Sequence, residues 1–331
     1  LNYKKYILFI RLSSLGDVAL SVPVIQNFLL QNPDVKVSIL SKSFHAPLFS
    51  HLQNIHFIAF DTNEYKGLIG LYKFVKTNLF TKDFTHIIDL HDVLRTKIIR
   101  FFYTFKKVSI TSFDKGRNEK KQAIKNKSIQ NHPLIHVTER YAMAISDAGF
   151  NCELNDREEK FDRIKKDKYT IGIAPLSKHF TKNFPLEKMQ ELIQQLMAKG
   201  NIDIKILCAS SERSQLEFLC DADNVRFLNE ENSLSKDIED IKKLDLIISM
   251  DSANMHIANI FKIPVLTIWG GTHPNIGFSG YYKNNTINIQ NDLSCRPCSI
   301  YGRSDCLLGH FKCMKELSST DILNSIYQII S

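Results

Sequence analysis

No stretch of the 331-residue chain reaches the roughly 18 to 20 uninterrupted apolar residues that a bilayer-spanning helix needs, which argues against a membrane-spanning protein. No Gly-x-Gly-x-x-Gly follows the first strand-like run; its turn carries only Gly16, and a nicotinamide oxidoreductase is disfavoured. Cysteine is scarce and odd in number, seven in all, which argues against an exported scaffold built purely from disulfides. Sequence repetition between the halves is also lacking. The start, LNYKKYILFIRLSS, has an apolar part too short for a signal peptide, interrupted by Arg11 and followed by no small-residue cleavage site. It reads as a first strand, and the protein as cytoplasmic. An apolar share of 44% argues against disorder, and the length suits two domains of about 150 residues each.

Charge is present and unevenly placed. Between Arg95 and Lys127 eleven Lys or Arg residues stand against only Asp114 and Glu119, a local +9 beside a chain total of +8. The remainder is close to neutral. Such a basic face suggests an anionic partner: a phosphorylated glycolipid, a membrane surface or nucleic acid. The plainer alternative is a solvated lysine-rich surface. Phe101, Phe102, Tyr103 and Phe105 lie among these charges as one run beside Ile98 and Ile99. That pattern fits a buried or lipid-facing edge better than a base-stacking groove, so no nucleic-acid partner is expected.

The most informative stretch is Ser249 to Gly271, SMDSANMHIANIFKIPVLTIWGG. Leu244 to Ile248 before it is short, apolar and branched, as suits a fully buried parallel strand. Asp251 and Ser252 fall where that strand ends. Ser252, Ala253 and Asn254 open a segment whose Met255, Ile257, Ala258, Ile260 and Phe261 have helical spacing, and Pro264 stops it. Val265 to Trp269 is the next buried strand, with Gly270, Gly271 and Thr272 as the turn. Strand ends and a helix start thus converge on one crevice, where unpaired N–H groups favour an anion such as a diphosphate. An ordinary turn capped by Ser252 is the plainer reading.

Elsewhere strands alternate with helices. Tyr6 to Ile10, Val35 to Leu40, Asn54 to Phe60 and Thr85 to Leu90 read as strands. Helices are expected from the Ser13-Ser14-Gly16 turn to Asn32, kinked or offset by Pro23, and over Gly67 to Thr77. A helix over His136 to Gly149 precedes a polar linker, Asn151 to Lys168. A second set follows: strands Tyr169 to Ala174, Ile202 to Cys208 and Val225 to Leu228, helices Glu187 to Lys199, Ser214 to Leu219 and Ser235 to Lys243. The rhythm predicts an α/β protein of two facing doubly wound, Rossmann-like parallel-sheet domains with an inter-domain cleft. Asp17, at the mouth of the first crevice, is a candidate general base; a helix-start residue serving backbone N–H groups is its bland alternative.

Three segments together resemble a known family: RLSSLGDVALSVPVI, Lys182-Asn183-Phe184-Pro185, and SMDSANMHIANIFKIPVLTIWGGTHP. They are similar to the ADP-heptose glycosyltransferases, the lipopolysaccharide heptosyltransferase family (glycosyltransferase family 9). The likeness extends to about Asp321. It implies a GT-B architecture, with an acceptor domain over residues 1–155, a nucleotide-sugar domain over 156–318, and a last helix within 319–331 crossing back to the first domain. It implies inverting transfer of heptose from ADP-heptose to a lipopolysaccharide inner-core acceptor, with no cofactor required for catalysis. Asp17 falls on the family's catalytic base, Lys182 on its phosphate-binding lysine and Glu212 on its ribose-binding acid. Asp251 and the Ser252, Ala253, Asn254, Met255, His256 turn fall on the sugar and diphosphate contacts. For His256 a capping or core role is the plainer reading, and for Lys182 a surface lysine.

Ser14, Gly16, Arg95, Arg117, Lys120 and Lys121 are the candidate acceptor contacts, the cations among them through charge-assisted hydrogen bonds in loops between Leu90 and His132. The segment Pro175 to Thr181 departs from the family's threonine-rich pattern. The implied partners are an ADP-heptose donor and an anionic glycolipid acceptor, and the implied place is peripheral, at the inner face of the cytoplasmic membrane. Cys295, Cys298, Cys306 and Cys313 lie in one loop near His310 and carry three readings: a structural zinc site, packed reduced thiols, or redox-sensitive pairs. Two other functions stay open: a GT-B glycosyltransferase using another nucleotide sugar, and a non-catalytic scaffold whose basic surface docks on a membrane or nucleic acid.

Overall fold

Short branched runs with no polar face can be satisfied only when covered on both sides, and here they form the inner strands of two parallel sheets. The computed structural model describes residues 4–130, 132–159, 165–228, 231 and 233–330. It divides into two units, Leu1–Lys115 with Val137–Asn155, and Gly116–His136 with Asp156–Ser331.

In the first unit β1 (Lys5–Ile10), β2 (Val35–Lys42), β3 (Ile55–Phe60), β4 (His86–Asp89) and β5 (Ser109–Ser112) pair in the order β3-β2-β1-β4-β5, all parallel. The chain order reverses between β1 and β4. Helix α1 (Leu15–Gln31) follows β1, α2 (Gly67–Phe74) follows β3, and α3 (Leu94–Phe101) follows β4. Pro23 sits inside α1, and the Asn27 side-chain amide donates to its carbonyl at 2.9 Å. Leu8, Ile10, Leu40, Phe60, Phe74 and Ile87 belong to this unit's buried core.

The chain then contributes α4 (Arg117–Asn126) to the second unit before returning to the first as α5 (Val137–Asp147). Packing and backbone hydrogen bonding both hold the 116–136 segment there. Ala123 and Ile129 pack on Ile276, and the Leu134 N–H donates to the Asn275 carbonyl at 2.9 Å. The basic run from Arg95 to Lys127, expected to form one face of acceptor loops, is therefore divided between the units and built into α3, β5 and α4.

The second unit continues with β6 (Tyr169–Ala174), α6 (Leu186–Ala198), β7 (Ile202–Ile206), β8 (Val225–Phe227), α7 (Leu234–Ile241), β9 (Leu246–Met250), α8 (Ala253–Ile260), β10 (Val265–Trp269) and β11 (Thr286–Gln290). Its order is β11-β10-β9-β6-β7-β8, again all parallel, with the reversal between β6 and β9. Both β9 and β10 are buried along their whole length. The helix expected over Ser214 to Leu219 is instead a pair of short 3-10 turns, Ser210–Gln215 and Glu217–Cys220. At the carboxyl end, after α9 (Lys312–Lys315), α10 (Ser319–Ile330) packs within the second unit. Its Ile322, Ile326 and Ile329 form the apolar stripe that joins the second unit's own core with Leu192 and Leu196 of α6.

The chain leaves the first unit through Asn151 and Glu153, whose carbonyls accept from Asn32 and Gln31 at 2.8 and 2.7 Å. It enters the second through Asp156, which accepts from the Tyr281 hydroxyl. Residues 160–164 of the expected linker lie outside the described residues.

Candidate active site

Reversal of strand order leaves two adjacent strands whose connections depart in opposite directions, and the gap at their carboxyl ends admits a ligand. Each unit has an ion pair at that point. In the first unit the apolar β1 is followed directly by Arg11, which is buried. A buried guanidinium needs partners: Nη1 donates to the Leu90 carbonyl beyond β4 at 2.5 Å and Nη2 pairs with Asp17 Oδ2 at 2.6 Å, while the buried Nε has no hydrogen-bond partner among the described residues. Phe113 and Tyr141 lie 5.8 and 5.7 Å from its centre. The Ser14 hydroxyl and N–H both donate to the same Asp17 oxygen, at 2.7 and 3.3 Å. Asp17 is thereby a fixed side chain on the first turn of α1. Its side chain keeps 24% of its surface exposed, so a substrate hydroxyl can reach it. Gly16, half-buried beside it, completes the turn.

Across the switch point stands His91, buried, with Nε2 3.3 Å from the Ser13 hydroxyl. Burial, then the nearby Arg11 and Lys115 charges, pushes its pKa down to about 3. His45 and His273 are likewise held near 4, mainly by burial. Unfolded, each would titrate near 6.5. As pH falls through 6.5 the unfolded chain gains protons that the folded chain refuses until about pH 3 to 4. The stability these neutral rings confer is complete above pH 6.5 and is lost on acidification, by about 1.4 kcal/mol per pH unit for each excess proton. Thermal unfolding midpoints should fall between pH 6.5 and 4.5, and His91→Gln should flatten that slope; an unchanged slope would remove His91 from the account.

In the second unit the loop after β6 lays Lys182 against the end of β9. Lys182 Nζ lies 3.0 Å from Asp251 Oδ2, and the Thr272 hydroxyl, from the turn after β10, donates to the same oxygen at 2.7 Å. Both charged side chains are largely buried, at 13% and 10% exposure. Close backbone approach brings the loop there. The Gly271 N–H donates to the Thr181 carbonyl at 2.7 Å, and a Cβ on Gly270 would stand 2.4 Å from that carbonyl oxygen. Gly302, at φ +98°, leaves room for the Lys182 stem, whose Cδ would be 2.6 Å from any Cβ there. Although Pro175 to Thr181 lacks the threonine-rich pattern, it is held by its own hydroxyls. Ser177 donates to Asn183, and Thr181 bonds both ways with Arg303.

Helix α8 starts next to this pair. Its N-cap Ser252 is extended and makes no side-chain cap; the hydroxyl instead meets Ser249 Oγ at 3.2 Å. The first N–H groups of the helix, at Ala253, Asn254 and Met255, are therefore left for another acceptor, and the helix dipole favours an anion there. The Met255 side chain is in the core, taking a hydrogen bond from Thr267, and His256 is buried. These two offer backbone more than side chain to a ligand. Glu212 lies beyond β7, the strand beside β6, and accepts the Ala209 N–H at 2.9 Å.

The other expected residues are scattered. Arg95 is exposed on α3, 5.5 Å from the Phe60 ring. Arg117 and Lys121 are exposed on α4, whereas Lys120 is buried with its ammonium 4.4 Å over Phe278. The cations on α4 belong to the second unit, and the Asp17 turn to the first. All seven cysteines are free thiols, and among the described residues no three His, Cys, Asp or Glu side chains are gathered to hold a metal ion. Burial raises the pKa of Cys298 and lifts that of Cys313 to about 11. Their loop is built around buried Arg296, which donates to the carbonyls of Gly270, Thr272 and Asn291.

Arg11, Thr272 and His91 are functional neighbours that motif reading passes over. A cue to Arg11 exists: an arginine closing a buried apolar strand needs an anion, and Asp17 is six residues on.

The sequence pattern of glycosyltransferase family 9 (heptosyltransferase) matches residues 73–307. The chain belongs to glycosyltransferase family 9. Among relatives in this family, the lipopolysaccharide core heptosyltransferase OpsX of Haemophilus influenzae is 23% identical over 286 residues, covering 82% of this chain and 80% of that one. Lipooligosaccharide heptosyltransferase 2 of Campylobacter jejuni is 29% identical over 137 residues, 41% of this chain; the match spans only about a third, 35%, of that relative's length. Among solved structures, the E. coli heptosyltransferase WaaC with ADP superimposes with a TM-score of 0.71 at 16% identity, over 98% of this chain and 99% of that one. The fold of this family 9 chain is thereby GT-B, with two parallel-sheet α/β domains.

Proposed function

We propose that the chain is an inverting glycosyltransferase that moves a heptose from ADP-heptose to a lipopolysaccharide inner-core acceptor. The observation that carries this reading is the Lys182–Asp251 pair beside the uncapped start of α8. A diphosphate placed there meets an ammonium and three N–H groups, and these offset the charge that develops as ADP departs. That is the work a divalent ion does in other transferases, so no cofactor is required in this scheme. Asp251 and Thr272 supply acceptor and donor groups for sugar hydroxyls, and Glu212 a carboxylate for the ribose. In the first unit Asp17 takes the proton from the acceptor hydroxyl as its oxygen bonds the anomeric carbon and the bond to phosphate breaks. Arg11 and Ser14 hold the carboxylate during that transfer. One carboxylate suffices, because attack opposite the leaving group inverts the centre in a single step.

WaaC, solved with ADP, and the lipopolysaccharide core transferase OpsX support the donor nucleotide and the acceptor class. Arg95 and the α4 cations are candidate contacts for acceptor phosphates or carboxylates. An acceptor anchored in lipid places the enzyme peripherally at the inner face of the cytoplasmic membrane; among the described residues no helix is long and apolar enough to cross it. A transfer assay with radiolabelled donors tests the reading. Turnover with ADP-heptose should exceed that with UDP-linked sugars, and a preference for UDP donors would contradict it.

A further inference from the structure

The first unit carries an apolar surface that its own core does not explain. Helix α2 buries Leu71 and Phe74 and turns Leu68, Ile69 and Tyr72 outward, Ile69 at 86% exposure. At the end of α3, Phe101 is exposed and Phe105, at 89%, is almost fully so. The two groups are continuous: Tyr72 and Phe102 rings lie 5.5 Å apart, Phe102 and Phe101 6.3 Å, and Phe101 and Phe105 6.3 Å. Large apolar side chains side by side in water cost free energy that scattered ones do not, and such patches mark surfaces that meet something.

Charge says what that is. Residues 66–79 and 93–108 contain no Asp or Glu, and exposed Lys66, Lys73, Lys76, Lys106 and Lys107 lie in the same segments as the aromatic row, while Lys97 is paired with Asp92 at 3.6 Å. An acidic protein groove would match the lysines but leave Ile69, Phe101 and Phe105 projecting. A second copy of this chain would bring like charges together. An anionic lipid surface takes both, with rings at the acyl boundary and ammonium groups among the headgroups. We propose that the outer faces of α2 and of the α3 carboxyl end form the patch by which this protein docks on a negatively charged bilayer. The inference deepens the reading of a lipid-borne acceptor, yet it needs neither donor nor acceptor to be tested.

The test is flotation of the full chain with vesicles of phosphatidylglycerol mixed into phosphatidylcholine, or of phosphatidylcholine alone. Binding is expected on the anionic vesicles only, weakening as salt is raised, since screening acts over about 10 Å at 0.1 M. Phe101→Ser with Phe105→Ser, and separately Lys73→Glu with Lys107→Glu, should each lower partitioning about tenfold or more. These side chains are exposed, so unfolding is not expected; unchanged thermal unfolding confirms that each variant is intact. Equal flotation on neutral vesicles, or unaltered binding by both variants, overturns the proposal. A dimer in solution that the phenylalanine variant converts to monomer also overturns it, in favour of self-association. Flotation without heptose transfer would sink the enzymatic reading alone, and transfer to a soluble acceptor without flotation would sink the docking patch alone.

Discussion

Asp17→Asn is expected to lower kcat by about 10²- to 10⁴-fold, the range a positioned general base contributes. The amide keeps the size of the side chain and can still accept from Ser14, but it cannot take a proton. Arg11 loses its carboxylate partner and keeps its bond to the Leu90 carbonyl and its place between Phe113 and Tyr141. The turn should therefore survive, with some loss of stability because a buried guanidinium is left half satisfied. Steady-state kinetics separates the effects. A fall in kcat at unchanged donor KM assigns Asp17 to proton removal. Turnover close to that of the native chain would show that the base is elsewhere, even with the family assignment intact.

The second large effect belongs to Lys182. Lys182→Met keeps most of the stem that passes Gly302 while removing the charge, so Asp251 is left largely buried with Thr272 as its remaining side-chain donor. Breaking a buried ion pair from one side costs about 3 to 5 kcal/mol. Here the adjacent start of α8 compensates in part, and a loss of about 3 kcal/mol in unfolding free energy is expected. Binding suffers independently. A charge-assisted hydrogen bond to phosphate contributes about 1.5 to 3 kcal/mol, so affinity for ADP should fall about tenfold to a hundredfold. Chemical denaturation measures the first and nucleotide titration the second. A variant that is as stable as the native chain and binds ADP equally well would leave Lys182 without a role.

What could be read in advance follows from how each element is stabilised. The inner strands, Ile7 to Ile10, Ile171 to Ala174 and Val265 to Trp269, are legible because burial on both faces selects almost entirely apolar side chains, Thr267 being the exception. Strands β5, SITS, and β11, TINIQ, have no buried residue and are not singled out in the sequence, whereas the edge strands β3 and β8 carry buried apolar residues and are. Helix α4 was hidden by its own chemistry. Its buried positions are Lys120 and Ala123, so a stripe carried by a lysine stem over Phe278 looks like a charge run. The short turns around Glu212 have no periodicity to detect. In the site, Asp17, Asp251 and the α8 turn were legible because helix starts after strands have a recognisable order. Lys182 was ambiguous until the loop that carries it was folded onto Gly270 and Gly271, a contact between segments about ninety residues apart in the chain that no local pattern reports.

In the proposed function the turn after β1 supplies the base, and the switch point between β6 and β9 holds the nucleotide. Calorimetric titration of ADP into the native chain, Asp17→Asn and Lys182→Met tests that division most directly. Native affinity in Asp17→Asn with a drop of tenfold or more in Lys182→Met is the predicted result. The reverse pattern, binding lost with Asp17 and kept without Lys182, would contradict it.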